Sequence, residues 1–182
     1  VDPSLGFGFD YDVINAEVLV KGLFVENGKL KLPHGAEYEL LVLPPRPDID
    51  LAVLQKVALL VQEGATVVGP KPVRASGYGD HVRRDRAVRE LAQKLWGACD
   101  GVGVKEHPYG KGKIVWGKSL RELLAERGKG PDFSFHRNAA DAMLDFIHRQ
   151  AGDVDIYFVR NARRRWERGW ATFRVSRKAP EL

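Results

Sequence analysis

Hydrophobic positions change period several times along the chain, and each change marks an element. Leu23-Phe24-Val25 and Leu30-Lys31-Leu32 flank Asn27-Gly28. That dipeptide accepts the positive φ angles of a type I′ turn, so the pattern predicts a hairpin. Glu39 to Leu43 reads as a buried strand ended by Pro44-Pro45. Leu51, Leu54, Val57, Ala58 and Val61 then recur at the spacing of one helical face, with Asp48 or Asp50 as cap and Gly64 as stop. Ala65 to Val68 is a second buried strand, closed by Gly69-Pro70-Lys71-Pro72. Strand, helix and strand in that order predict a parallel pair with a right-handed crossover.

A second helix is predicted from Asp80 to Trp96, with Val88, Leu91, Ala92 and Leu95 inward. A strand at Lys113 to Trp116 and a short helix from Ser119 to Glu126, stopped by Gly128, follow. Residues 1–130 therefore read as an α/β layered domain with a mainly parallel sheet and an N-terminal hairpin. Beyond Gly130 the pattern turns to strands. Ala142 to His148 and Val154 to Val159 flank Gln150-Ala151-Gly152-Asp153 as a hairpin, and Ala171 to Val175 alternates as a third strand. A helix from Asn138 to Arg149 also fits, on Ala139, Ala142, Met143 and Phe146, although strand is preferred. Residues 131–182 are thus expected to form a short antiparallel β segment, a partial β-sandwich lacking a full second layer. Its open edges predict packing on the α/β domain or self-association as a homo-oligomer.

Composition removes several classes. With 44% hydrophobic and 29% charged residues, the 182-residue chain has globular proportions rather than those of a disordered one. Cys99 is the single cysteine, which excludes an intramolecular disulfide and a cysteine-based zinc site. His34, His81, His107, His136 and His148 include no i,i+4 pair, so no metal is expected. Gly101-Val102-Gly103 lacks the third glycine of a dinucleotide fingerprint and no P-loop occurs, so no cofactor is expected. Arg74-Ala75-Ser76-Gly77-Tyr78 fails the nucleophile-elbow pattern at Arg74. Gly110-Lys111-Gly112-Lys113 reads as a solvated turn, and Cys99 as a packed thiol past a helix end. No apolar run reaches the roughly 18 residues of a membrane span, so no membrane contact is expected. Val1-Asp2-Pro3 does not open a secretory signal, and the missing initiator methionine points to a processed or excised chain, which leaves localisation open.

Candidate chemistry gathers at three places. Asp10, Tyr11, Asp12 and Asn15 put carboxylates, a phenol and an amide within six residues, a set suited to sugar hydroxyls with an aromatic face alongside. Asp10 and Asp12, with Glu17 next, are the candidate acid and base of a glycosidase, which needs two carboxyls. Equally, Asp12 or Asn15 caps a short helix over Ala16 to Val20. Arg46 and Lys71 follow the two parallel strands, where open α/β sheets bind ligands, or else they are solvated cations on rigid proline turns. The net charge of +5 is densest at Arg160, Arg163, Arg164, Arg165 and Arg168 around Trp166. That cluster is either an exposed hairpin tip or a polyanion site, with guanidinium forks on phosphates and an indole for a base.

Five segments carry a resemblance: Phe9-Asp10-Tyr11-Asp12-Val13-Ile14-Asn15-Ala16-Glu17, Leu41-Val42-Leu43-Pro44-Pro45, Gly64 to Pro72, Tyr109 to Gly117, and Phe146-Ile147-His148-Arg149 with Asp153 to Val159. Their order and spacing resemble the region beyond the catalytic barrel of glycoside hydrolase family 106, the α-L-rhamnosidase-type enzymes. The resemblance implies a glutamine-amidotransferase-like, flavodoxin-like α/β domain leading into a β-sandwich. It is also similar to the α/β domain that drives trimer contacts in some β-galactosidases. The family's catalytic carboxylates belong to a (β/α)₈ barrel of about 250 residues, so no catalytic residue carries over. A carbohydrate partner and a missing barrel are implied, with the chain a fragment or a shortened gene product.

Three functions follow as expectations. The first is a carbohydrate-active module that supports or completes a sugar site through Asp10, Tyr11, Asp12, Asn15, Arg46 and Lys71. The second is a small stand-alone glycoside hydrolase using Asp10, Asp12 and Glu17. The third is a polyanion-binding module, nucleic acid included, built on Arg163, Arg164, Arg165 and their neighbours.

Overall fold

In the computed structural model, which describes residues 7–77, 79–137 and 141–181, the side chain of Asn15 accepts the Val18 amide at 2.8 Å and opens α1 (Ala16–Gly22). Val1 to Pro3, Tyr78, Asn138 and Ala139, all named in the patterns above, lie outside the described residues. Two compact units make up the chain: Val13–Leu120, and Arg121–Leu182 with Asp2–Asp12.

The first unit begins with the expected hairpin. β1 (Phe24–Glu26) and β2 (Lys29–Lys31) pair antiparallel around Asn27 and Gly28, whose φ angles of 53° and 75° are those a type I′ turn demands. β3 (Glu37–Tyr38) adds to the other edge of β2 and places Glu37 between Lys29 and Lys31, at 3.0 and 2.7 Å. The Lys31 ammonium, then the Lys29 ammonium, hold the Glu37 carboxyl down to about 2. A carboxyl depressed in the folded state contributes stability above its unfolded value and loses it as pH falls through about 2. An NMR titration of Glu37 is therefore expected to reach its midpoint near 2, and Lys31→Met to raise it toward the usual carboxylate range.

β4 (Leu41–Val42), β5 (Asp48–Ile49), α2 (Leu51–Glu63), β6 (Thr66–Val68), β7 (Arg74–Ala75), α3 (His81–Trp96), β8 (Glu106–Tyr109) and β9 (Gly112–Val115) complete this unit. The main sheet has the order β4-β6-β9-β8, with β4, β6 and β9 parallel and β8 antiparallel at the edge. Asp50 caps α2 through Ala52 N–H at 2.8 Å, and Gly64 closes it at φ 126°. Leu54, Val57, Leu60 and Val61 of α2, Val88, Ala92, Leu95 and Trp96 of α3, and Val67 and Ile114 of the sheet are fully buried. One cluster joins them.

Gly110 and Lys111 are exposed in the turn before β9, as expected of a solvated turn, and the amides of Lys111 and Lys113 donate to the carbonyls of Gln62 and Ala65 at the end of α2. Cys99 is buried, and burial pushes its thiol up.

The second unit holds α4 (Leu120–Glu126) from Arg121 onward and four strands: β10 (Phe133–Arg137), β11 (Leu144–Ala151), β12 (Val154–Asn161) and β13 (Gly169–Phe173). β11 and β12 form the expected hairpin, so Leu144 to Ala151 is strand and not the alternative helix. The third expected strand does not join that hairpin. It pairs antiparallel with β10, a strand absent from the sequence expectations, so there are two two-stranded sheets where one three-stranded sheet was expected. Phe133 is fully buried, with the rings of Phe7, Phe146 and Phe173 at 5.7, 5.2 and 5.2 Å. Gly8 O accepts the Asp132 amide at 2.6 Å, which ties the N-terminal segment to the start of β10. The outward face of β11 and β12 leaves Ile147, Val154, Ile156 and Phe158 exposed.

Candidate functional site

β4 and β6 both run into prolines, and the loops that follow lie side by side because short parallel bonds stitch them. β5 pairs with β7, Val73 N–H donates to Pro47 O at 2.8 Å, and Ser76 N–H donates to Ile49 O at 2.9 Å. Gly69 allows the approach, since a Cβ there would sit 2.8 Å from Leu43 Cβ. The space enclosed is a cleft of about 390 Å³ at the carboxyl ends of β4 and β6, the position where open α/β sheets receive ligands. Ile14, Leu43, Val53 and the loop prolines give it apolar walls, while Arg46, Asp48, Asp50 and Ser76 bring polar groups to it.

The charges of the cleft are matched. Arg46 Nη2 lies 2.9 Å from Asp48 Oδ2, and Asp48 is mostly buried while Arg46 is open. Asp50 uses Oδ1 to cap α2 and Oδ2 to accept from Arg84 at 3.2 Å. A cleft with two acids and two guanidinium groups has no strong field, which favours a hydroxylated ligand over a highly charged one.

Of the residues singled out from sequence, Arg46 lines this cleft. Lys71 donates to Gln93 on α3, and its neighbours Pro70 and Pro72 line the cleft in its place. Asn15 is spent on capping α1, though Ile14 and Ala16 on either side reach the cleft wall. Glu17 pairs with Lys21 at 2.7 Å on the exposed side of α1. In the second unit, Asp10 Oδ1 accepts the Tyr11 amide at 2.9 Å and Asp10 Oδ2 lies 3.8 Å from Arg149. Tyr11 is 51% exposed, and Asp12 is exposed beside it. A glycosidase acid works from a desolvated pocket, and Asp10, Asp12 and Glu17 all face water. Among the described residues no group of three or more His, Cys, Asp or Glu side chains could hold a metal ion.

In the arginine cluster, Arg160 pairs with Asp145, Arg163 donates to Asp141 O, and Arg165 forks onto Asp141 at 2.6 and 3.0 Å while reaching Glu167 at 2.7 Å. Asp141's carboxyl is held below its usual range chiefly by Arg165. Much of the local positive charge therefore meets acid within the fold. The loop is ordered by Asn161, which bonds Arg163 N–H and Arg165 O, and it presents Trp166 at 100% exposure.

One polar constellation was missed from sequence. His148 has Asp132 Oδ2 and Asp155 Oδ1 each 2.8 Å from its two ring nitrogens and stacks on Tyr157 at 4.1 Å. Tyr157 OH donates to Asp132 Oδ1 at 2.9 Å, Arg174 lies 3.4 Å from the same oxygen, and Lys178 pairs with Asp155. Burial, reinforced by Asp132, pushes the Tyr157 phenol far up, so it stays a donor; Lys178, then His148, hold Asp155's carboxyl down. Every group here is engaged by another, which makes the network a clamp between segments. Cross-strand pairing was the available signal, since His148 and Tyr157 are direct partners in the β11–β12 register.

The family model for glycoside hydrolase family 106, described as alpha-L-rhamnosidase, matches residues 1–182. A protein of Formosa agariphila that carries the name of a beta-glucuronidase is 34% identical over 175 residues, covering 96% of this chain and 14% of its own length. The solved structure of a rhamnosidase from Novosphingobium sp. PP1Y superposes with a TM-score of 0.78 at 30% identity, over 91% of this chain and 15% of that one. This chain therefore spans about one seventh of the length of the relatives it matches.

Proposed function

The chain belongs to glycoside hydrolase family 106, and from that membership we propose that it is a carbohydrate-active module whose cleft supports or completes a sugar-binding site. Glycosidic bond hydrolysis falls to a catalytic barrel outside these 182 residues, because a (β/α)₈ barrel takes about 250 residues of its own. Val13–Leu120 then serves as a glutamine-amidotransferase-like, flavodoxin-like layered domain, and the strands of Arg121–Leu182 as part of a β-sandwich.

The observation that carries this reading is the cleft at the carboxyl ends of β4 and β6, where Arg46, Asp48, Asp50 and Ser76 stand over apolar walls. A pyranoside offers the matching surface, with C–H groups on its faces and hydroxyls around its rim. Arg46 is the recognition residue of choice, since one edge of its guanidinium is held by Asp48 and its side chain is otherwise 65% exposed. The family description makes an α-L-rhamnoside the first sugar to test, and the Formosa agariphila relative makes a glucuronide the second.

Titration of the ¹⁵N-labelled chain with methyl α-L-rhamnoside and with D-glucuronate is expected to move the amides of Arg46, Asp48 and Ser76. Arg46→Ala is expected to weaken that binding by about tenfold, the value of one good hydrogen-bonded contact. Titrations with both sugars that leave those three amides in place would remove the proposal. The folded chain is also expected to leave a panel of chromogenic glycosides uncut. Turnover abolished by Asp12→Asn would move the chemistry to Asp10, Asp12 and Glu17 and make the chain a minimal enzyme.

A further inference from the structure

The β10–β13 ladder has two unlike faces. On one, Phe133 and Phe173 turn into the aromatic core of the second unit, with Phe135 on the same side of the ladder. On the other, the register sets His136 opposite Trp170 and Ser134 opposite Thr172. Directly opposed side chains are about 5 Å apart and successive same-face positions about 7 Å apart. The four residues thus form a grid roughly the size of one sugar ring, with an indole at one corner and three hydrogen-bonding groups at the others.

Exposure makes this arrangement costly without a partner. Trp170 is 81% exposed, and His136 and Thr172 are open beside it. An indole is among the largest apolar surfaces that one side chain can remove from water, so leaving it exposed on a well-paired strand calls for a ligand that covers it. The neighbours specify which kind. The outward face of β11 and β12 carries Ile147, Val154, Ile156 and Phe158, the mixture of a protein-covered sheet face. Around Trp170 there is no aliphatic group on the ladder, only a hydroxyl, an imidazole and a second hydroxyl. Flat aromatic surface ringed by donors and acceptors complements a pyranose, whose C–H face stacks and whose hydroxyls bond at the edge.

We infer that the Trp170 face of the β10–β13 ladder, with Ser134, His136 and Thr172, is a carbohydrate-binding platform for a neutral or uronic-acid-containing polysaccharide. This rests on the carbohydrate reading of the chain, but on residues that the cleft does not use. Its part is retention of polymer, because a shallow face lets a long chain run on past either end.

Affinity electrophoresis of the full chain through gels containing a soluble rhamnose-containing polysaccharide, and separately glucuronoxylan, tests it. One of the two gels is expected to retard the chain, and Trp170→Ala is expected to cut the retardation by about tenfold in apparent affinity. His136→Ala and Thr172→Val are expected to weaken it less. Retardation unchanged in Trp170→Ala would overturn the inference. Retardation lost only in Arg46→Ala would overturn it too, while leaving the cleft reading intact. No retardation of a folded chain in either gel would also overturn it. If sedimentation shows self-association that Trp170→Ala abolishes, a second copy covers the indole and the inference fails. Because Trp170 is exposed and bonds nothing in the core, its variant is expected to keep the circular dichroism of the parent chain.

Discussion

Urea unfolding of Trp96→Ala is expected to show a loss of about 3–5 kcal/mol, the range for truncating a large buried aromatic side chain. Trp96 ends α3 and is fully buried, with Val88, Ala92 and Leu95 before it on the same helix and the α2 face in the same cluster. It also does a second job. Its indole Nε1–H donates to Gly69 O at 3.0 Å, and Gly69 N–H donates to Val115 O at 2.9 Å. The indole thus fixes the chain where β6 turns into the cleft loop. Trp96→Phe separates the two contributions, since it keeps most of the volume and drops the hydrogen bond, for an expected loss of about 1–3 kcal/mol. A Trp96→Ala change within about 1 kcal/mol of the parent would mean the site collapses around the void, contrary to a close-packed cluster. The same variant is expected to weaken sugar-induced shifts at Ser76, because Pro70 and Pro72 follow directly from Gly69.

Much of the first unit was legible because its signals are local. Asn27-Gly28 dictates its own turn, the apolar stripe of α2 needs only helical spacing, and strand–helix–strand order implies the parallel pairing of β4 with β6. β8 escaped notice because Glu106-His107-Pro108-Tyr109 has no apolar run and contains a proline, which only an edge strand tolerates. β10 escaped for a different reason. Phe133-Ser134-Phe135-His136-Arg137 alternates over five residues, and its partner lies about forty residues downstream in the register Phe133 to Phe173. Pairing at that separation leaves no mark in a window of sequence.

The candidate site divides in the same way. Arg46 was accessible from the rule that ligands sit beyond parallel strand ends. Lys71 was placed by the same rule, yet the side chain of Gln93 on a distant helix engages its ammonium. Asp48 and Asp50 had been seen only as caps, and Ser76 only as a failed nucleophile motif. Their place at the cleft depends on the β5–β7 ladder, two residues long in each strand and too short to leave a pattern.

Asp132→Ala is expected to cost about 2–4 kcal/mol, because it strips a buried acceptor from partly buried donors rather than removing a surface charge. Asp132 is 7% exposed. Its carboxylate accepts from His148 at 2.8 Å and Tyr157 at 2.9 Å, with Arg174 at 3.4 Å. Removing it leaves the Tyr157 hydroxyl and one His148 nitrogen facing space that water reaches poorly. Asp132→Asn is expected to do less harm, since its carbonyl still accepts one bond, but the amide nitrogen then meets donors on the other side. The ordering Ala worse than Asn, read from urea midpoints, distinguishes lost hydrogen bonding from lost volume. The effect should stay within the second unit, so near-ultraviolet dichroism of Tyr157 and its neighbours is expected to change while sugar-induced shifts at Arg46 do not. If Asp132→Ala unfolds within about 0.5 kcal/mol of the parent, the surface range, the His148 clamp carries no stability. The aromatic cluster around Phe133 would then have to hold the four strands by itself.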